Sequence, residues 1–143
     1  MENFKVENWK KNNVRVEYTS LENGEVNEII NKISKLYNLS FNEINNNHFS
    51  VNILKKMNAL VEISDINECN IFPKILSLLN DKPNIETNVY LVWNYNSIDR
   101  VTLSCLSKYW DYIWYGPSDE MVLLYFDEYK KALIITDYGI VYS

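Results

Sequence analysis

The stretch that decides the fold is Met121–Phe126 (MVLLYF), six residues without a charged side chain. In a strand, successive side chains point to opposite faces, so the residues alternating from Met121 face one side and those alternating from Val122 face the other. Neither set is suited to water, and both faces of this strand therefore need a covering layer. We expect a sheet packed with helices on its two sides.

The chain that follows Met121–Phe126 reads as a run of antiparallel strands. Asp127–Lys130 is polar and predicts a hairpin loop before a second apolar strand at Ala132–Thr136. Asp137–Gly139 then predicts a tight turn, in which Gly139 can take a positive φ without a steric penalty, and a short third strand follows.

The chain before Met121–Phe126 predicts a further strand and a helix. Asn88–Trp93 is apolar on both faces, and Asn94–Ser97 predicts a turn. The spacing from Ile98 onward predicts a helix that runs to about Trp110. The residues with this spacing are Ile98, Val101, Leu103, Leu106 and Tyr109. Strand, helix and strand in this order permit a right-handed parallel crossover.

The N-terminal half predicts an edge strand and helices. Val14–Thr19 alternates apolar and polar residues, as a half-buried edge strand does. Glu25–Asn38 has the spacing of an amphipathic helix. Ser40–Glu43 has the spacing of a capping box and predicts about one turn of helix.

The middle of the chain allows two interpretations. Ser50 has the position of a helix cap, and the apolar spacing after it favours a helix as far as Val61. Residues 59–64 fit a short strand equally well. A further helix is predicted to start near Ile71 and to end before Asn80.

Together these elements predict one α+β domain over residues 1–143, a length typical of a single domain. We expect a mixed, largely antiparallel sheet of about five strands packed with about four helices in a single layered domain. If the helices do not cover both faces of the sheet, the remaining apolar face would be buried by a second copy in a homodimer or by another partner.

The composition favours a basic protein partner. The net charge is −5 and the isoelectric point about 4.9, so the long-range field repels nucleic acid and anionic membranes and attracts basic proteins. The 21 Asn against 2 Arg and 2 Ala suggest an AT-rich, bacterial genome. The first residues lack the apolar region of a signal peptide, and no apolar run approaches the length of a membrane span. We therefore expect a cytoplasmic protein.

The reactive residue types form no recognisable catalytic pattern. Cys69 and Cys105 lie in different segments without a Cys-x-x-Cys spacing, which fits reduced, buried thiols rather than a metal site. His48 is the sole histidine, and its Asn-rich surroundings predict a solvated loop residue. Three glycines are too few for a phosphate-binding loop. We expect no cofactor.

The segment Trp110–Glu120 is the candidate binding site. Its carboxylates alternate with aromatic rings, a combination that supplies stiff contact area together with charges that steer a basic partner. The residues predicted to bind are Asp111, Tyr112, Trp114, Tyr115, Asp119 and Glu120. The competing interpretation places Trp110, Ile113 and Trp114 in the core and leaves the acids as a solvated rim.

Two other functions stay open at this point. Asp119 and Glu120, together with Asp111 or Asp137, could hold a divalent cation for hydrolysis, and the predicted metal-assisted hydrolase uses Asp111, Asp119 and Glu120. A structural homodimer is the other alternative. A non-enzymatic protein-binding domain is the interpretation that the sequence favours.

From Val89 onward the chain also resembles a class of known proteins. The strand Val89–Asn94, the aromatic run Tyr109–Tyr115, the acidic run Pro117–Glu120 and a closing hairpin are similar to small bacterial α+β proteins, several of them immunity proteins of polymorphic or contact-dependent toxin systems. The resemblance implies a cytoplasmic inhibitor that covers a toxin's active site with an acidic face. It assigns no role to an individual residue.

Overall fold

The computed structural model describes residues 1–44, 47–62, 72, 75, 77, 84–114 and 120–143. In chain order its elements are α1 (Asn3–Lys11), β1 (Thr19–Ser20), α2 (Asn23–Leu36), α3 (Phe41–Ile44), α4 (Phe49–Leu54), β2 (Ala59–Glu62), β3 (Asn88–Asn94), β4 (Ser97–Thr102), α5 (Leu103–Lys108), α6 (Trp110–Ile113), β5 (Met121–Phe126), β6 (Lys131–Thr136) and β7 (Ile140–Tyr142). A short 3₁₀ turn, Asp127–Tyr129, joins β5 to β6.

The predicted α+β class is confirmed. Seven strands form one sheet in the order β1-β4-β3-β5-β6-β7-β2, and all of their pairings are antiparallel. The described residues thus contain two strands more than the five expected, and six helices in place of about four. Helices pack on both faces of the sheet, as the apolar residues of β5 require.

The burial of β5 follows the alternation of its side chains. Val122, Leu124 and Phe126 belong to one apolar core, together with α1, α5 and α6. Leu123 and Tyr125 belong to the other, together with α2 and α4. The first helical layer is therefore α1, α5 and α6, and the second contains α2 and α4. Because both faces of β5 are covered within the chain, no spare face of this strand calls for a second copy.

The predicted helix Ile98–Trp110 is wrong in its first part. Residues Ser97–Thr102 form β4, which pairs with β3 as a hairpin, and helix begins only at Leu103. Ile98 and Val101 are both buried because they contact opposite helical layers. In place of a parallel crossover, β5 pairs antiparallel with β3, on the side away from β4.

Other elements are confirmed or corrected as follows. The helix predicted at Glu25–Asn38 is α2, with the capping box closed by Glu22 and Glu25, and the single turn predicted near Ser40 is α3. The strand interpretation is confirmed at Ala59–Glu62, which form the edge strand β2, whereas residues 63 and 64 lie outside the described residues. The edge strand predicted at Val14–Thr19 is wrong for residues 14–18, since only Thr19 of that range lies in a strand, the two-residue β1 at the opposite edge.

The turn after β6 has the positive φ predicted at Gly139, whereas the left-handed backbone of Lys130 was not predicted. Gly139 has a φ of 79° in the turn after β6, and Lys130 closes the β5–β6 hairpin with a φ of 48°.

The helix predicted near Ile71 lies outside the described residues except at Phe72, Ile75 and Ser77, which are helical. Within the described residues, no helix combines the length and apolarity that crossing a membrane requires.

Candidate functional site

The six residues predicted to bind a partner divide into three groups. Asp111 is exposed and Tyr112 half-buried, both on α6, and Glu120 is exposed just before β5. Trp114 is 1% exposed, and Tyr115 and Asp119 lie outside the described residues. Three of the predicted side chains therefore remain candidates for contact with a partner in the described part of the chain.

The burial of Trp114 corrects its placement on the surface. Its ring stacks on that of Trp110, with 5.6 Å between the ring centroids and 3° between the planes, and Trp110 packs edge-on against Phe72. Ile113 is buried beside them. The interpretation that placed Trp110, Ile113 and Trp114 in the core is thus confirmed. The indole nitrogen of Trp114 has no hydrogen-bond partner among the described residues.

Glu120 lies on the rim of a cleft at one end of the sheet. The cleft has a volume of about 450 Å³ and is enclosed by the ends of β3 and β5, the start of α1 and the start of α4. Its lining combines two carboxylates with small polar side chains and an indole. The lining residues are Met1, Glu2, Asn47, Ser50, Val51, Trp93, Asn94, Ser97, Glu120 and Met121.

Asp111 and Tyr112 line a second pocket between α1 and α6. This pocket has a volume of about 250 Å³ and is closed on the α1 side by Phe4, Lys5 and Asn8. The indole nitrogen of Trp9 donates a hydrogen bond of 2.8 Å to the carbonyl oxygen of Tyr112, which fixes α6 against α1. The first two turns of α1 therefore separate the pocket from the cleft.

Lys5 lines the second pocket and also contacts two residues of the cleft. Its side chain is almost fully buried, and its ammonium nitrogen lies 4.1 Å from the centroid of the Trp93 ring and 3.3 Å from Oε2 of Glu2. A cation over the face of an indole is stabilised by the ring quadrupole. This positive charge is buried, whereas Glu2, Asp111 and Glu120 are exposed.

A buried carboxylate holds the Trp93 ring in place. Oδ2 of Asp99 accepts a 2.7 Å hydrogen bond from the Trp93 indole nitrogen, and Oδ1 accepts one of 2.5 Å from the Ser20 hydroxyl. The Met1 amino nitrogen lies 2.6 Å from the same Oδ2. Asp99 is 1% exposed, so these partners are what make a buried charge tolerable. Asp99 therefore holds the edge of the Trp93 ring, and Lys5 contacts its face.

We call the set Glu2, Phe4, Asp111, Tyr112 and Glu120 the acidic aromatic surface. Sequence reasoning found its last three members and missed Glu2 and Phe4, because it missed α1. A signal was present in the spacing of Met1, Lys5 and Trp9, which places them on one face of a helix. The lysine in the middle of that face hid the pattern.

Cys105 and His48 are not members of the acidic aromatic surface. Cys105 is half-buried with its thiol 3.5 Å from the carbonyl oxygen of Glu17, and burial raises the pKa of that thiol. A thiol with a raised pKa is a poor nucleophile. Cys69 lies outside the described residues, and His48 is exposed immediately before α4.

No metal centre is formed by the residues that the structure describes, since nowhere among them do three or more His, Cys, Asp or Glu side chains come together as possible ligands. Asp111 and Glu120 line different pockets. The third carboxylate of the hydrolase alternative, Asp119, lies outside the described residues.

Comparison with known proteins gives no match: no family model, curated protein or solved structure is significantly similar to the chain.

Proposed function

We propose that this protein is a non-enzymatic binding domain that docks a basic protein partner through the acidic aromatic surface. The observation that carries the proposal is the side-by-side arrangement of accessible carboxylates and aromatic rings around the start of α1. Phe4 is 43% exposed and Tyr112 is half-buried, so both rings offer apolar contact area beside Glu2, Asp111 and Glu120.

The physical argument rests on a division of roles. Aromatic side chains supply most of the binding free energy in protein interfaces, because they bury a large area with little loss of conformational entropy. Carboxylates around them accelerate association with a positively charged partner and exclude acidic ones. The excess of negative charge, −5 for the chain, acts in the same direction at longer range.

The more specific version of the proposal is an immunity protein that neutralises a basic toxin inside a bacterial cytoplasm. It rests on the resemblance of the chain from Val89 onward and on the acidic surface. A cleft beside Glu120 is suited to receiving a basic side chain of such a partner, because the exposed residue Glu120 lines it, whereas Glu2 and the Trp93 ring already contact Lys5.

The experiment that tests this version is co-expression with a candidate toxin encoded at the adjacent locus. We expect a complex that survives gel filtration and growth protection of the host cell. A complex that forms normally with the variant Asp111→Asn/Glu120→Gln would contradict the role of the surface. Failure of both complex formation and protection would contradict the immunity function.

A further inference from the structure

A groove at the far end of the sheet has a character opposite to that of the acidic aromatic surface. It lies between the last turn of α2 and the β5–β6 hairpin, has a volume of about 470 Å³, and is lined by Lys32, Lys35, Leu36, Tyr125, Asp127 and Lys130. Three of these residues are lysines and one is an aspartate, in a chain that has 14 basic and 19 acidic residues overall.

Lys32 and Asp127 form an ion pair within the groove. The ammonium nitrogen of Lys32 lies 2.8 Å from Oδ2 of Asp127 and 3.3 Å from Oε1 of Glu28. The other carboxylate oxygen of Asp127 accepts a 3.0 Å hydrogen bond from the hydroxyl of Tyr125. The negative charge of Asp127 is thereby paired with Lys32, which Glu28 shares.

Lys35 and Lys130 remain as the charges available to a ligand. Both are exposed, and neither forms an ion pair within the described part of the chain. They stand on opposite walls of the groove, one on α2 and the other on the hairpin, with the 41% exposed side chain of Leu36 beside Lys35. The carbonyl end of α2 repels anions, and these two ammonium groups offset that effect.

We propose that this groove binds an acidic peptide segment, with an apolar side chain of the peptide against Leu36 and carboxylates beside Lys35 and Lys130. Two exposed ammonium groups on separate walls, with the apolar side chain of Leu36 beside one of them, match carboxylates separated by an apolar residue better than one compact anion. The groove lies at the end of β5, whereas Glu120 precedes its start, so this binding is independent of the partner proposed for the acidic aromatic surface.

Lys130 offers a test that separates binding from folding. Its backbone is in the left-handed region, at a φ of 48°, where glycine is favoured over residues with a side chain. Lys130→Gly therefore removes the ammonium group while the stability of the hairpin is kept or increased. Lys10→Gln, at an exposed lysine near the end of α1, is the matched control for loss of one positive charge.

The experiment is an NMR titration of the isotopically labelled full chain with the capped pentapeptide Glu-Glu-Leu-Glu-Glu. We expect saturable shifts of the amides around Lys35, Leu36 and Lys130, an affinity about two- to fivefold weaker in Lys130→Gly, and no change in Lys10→Gln. Three outcomes would overturn the proposal: no saturable shifts at the groove, the same shifts with the neutral peptide Gln-Gln-Leu-Gln-Gln, or the same shifts with inorganic phosphate alone.

Discussion

Asp99 is the residue on which the geometry beside the cleft depends most. It is buried, and it accepts hydrogen bonds from side chains of β1 and β3 while belonging to β4. A buried charge in this position is stabilised by its hydrogen-bond donors. One side chain thus connects the edge strand β1 with the strand that carries Trp93.

We expect Asp99→Asn to lower the free energy of unfolding by about 2–4 kcal/mol, because a neutral amide replaces a buried carboxylate that accepts from Ser20 and Trp93 and pairs with the Met1 ammonium group. Urea denaturation monitored by tryptophan fluorescence measures the change. Asp137→Asn, at an exposed aspartate in the β6–β7 turn, serves as the control and should cost less than about 0.5 kcal/mol. Equal effects of the two substitutions would contradict the structural role of Asp99.

Two tyrosines make stability sensitive to alkaline pH. Burial raises the pKa of Tyr37 to about 12 and that of Tyr125 to about 12, from an ordinary value of 10.0. A raised pKa means that the fold favours the protonated phenol. The stabilisation is therefore complete below pH 10 and is lost as the pH rises from 10 toward 12.

We expect the double variant Tyr37→Phe/Tyr125→Phe to lose less stability than the original chain between pH 10 and pH 12. Near pH 8 it should be slightly less stable, because the hydrogen bond from Tyr125 to Asp127 is gone. Denaturation midpoints across this pH range give the comparison. Parallel pH profiles for the two proteins would show that these phenols are not responsible.

At the level of elements, α1 shows why a helix can be missed in a sequence. Its buried residues include Lys5, whose charge is accommodated by Glu2 and the face of Trp93, so the inward face does not read as apolar. Phe4, in contrast, is 43% exposed. Hydrophobic periodicity cannot detect a helix whose inner face holds a lysine and whose outer face holds a phenylalanine.

β4 shows the opposite error, a helix predicted where a strand is found. Ile98 and Val101 have helical spacing, yet they point to opposite faces of the sheet and are buried by different helical layers. β5, β6 and β3 were predictable because their apolar runs are long and end at clear turns. Which of two buried arrangements a short segment adopts depends on tertiary contacts, which a local pattern does not contain.

The same limit applied to the candidate site. The acids and rings of Asp111, Tyr112 and Glu120 could be found from their composition, but the sequence could not decide whether Trp114 lies in the core or at the surface. Its stacking on Trp110 depends on where α6 packs against the rest of the core. The contribution of Glu2 and Phe4 became apparent only once α1 had been placed.

We expect Trp9→Ala to lower the free energy of unfolding by about 3–5 kcal/mol, since a buried indole that ties α1 to α6 is lost. Trp9→Phe should cost about 1–2 kcal/mol, because it removes the hydrogen bond to Tyr112 while keeping most of the apolar contact. Phe4→Ala is the control on the same helix, and urea denaturation measures all three. A cost of Trp9→Ala no greater than that of Phe4→Ala would contradict the packing of α1.

At the scale of the whole molecule, two regions of opposite charge lie at opposite ends of the strand β5. The acidic aromatic surface and its cleft lie where β5 begins, and the lysine-lined groove lies where β5 ends. Such a separation orients a charged partner as it approaches, an effect that decreases with ionic strength because the screening length is about 10 Å at 0.1 M salt.

The salt dependence of association follows from this arrangement. With a basic partner, we expect the association rate constant to fall several-fold as the ionic strength rises from about 0.05 M to 0.5 M, while the dissociation rate constant changes less. Glu120→Gln should reduce the rate constant at low salt and have a smaller effect at high salt. Stopped-flow mixing provides both rate constants, and an association rate independent of salt would show that charge does not steer this encounter.

The most direct test of the binding surface is the dissociation constant of the complex with the co-expressed candidate toxin, measured for matched pairs of variants. Tyr112→Ala and Glu120→Gln alter the acidic aromatic surface, whereas Phe41→Ala and Glu86→Gln alter an exposed ring and an exposed acid elsewhere. We predict that Tyr112→Ala raises the dissociation constant about tenfold or more and Glu120→Gln by a smaller factor, with both controls within about twofold. Equal effects of the two pairs, or none from Tyr112→Ala in a folded protein, would contradict the proposed role of the surface.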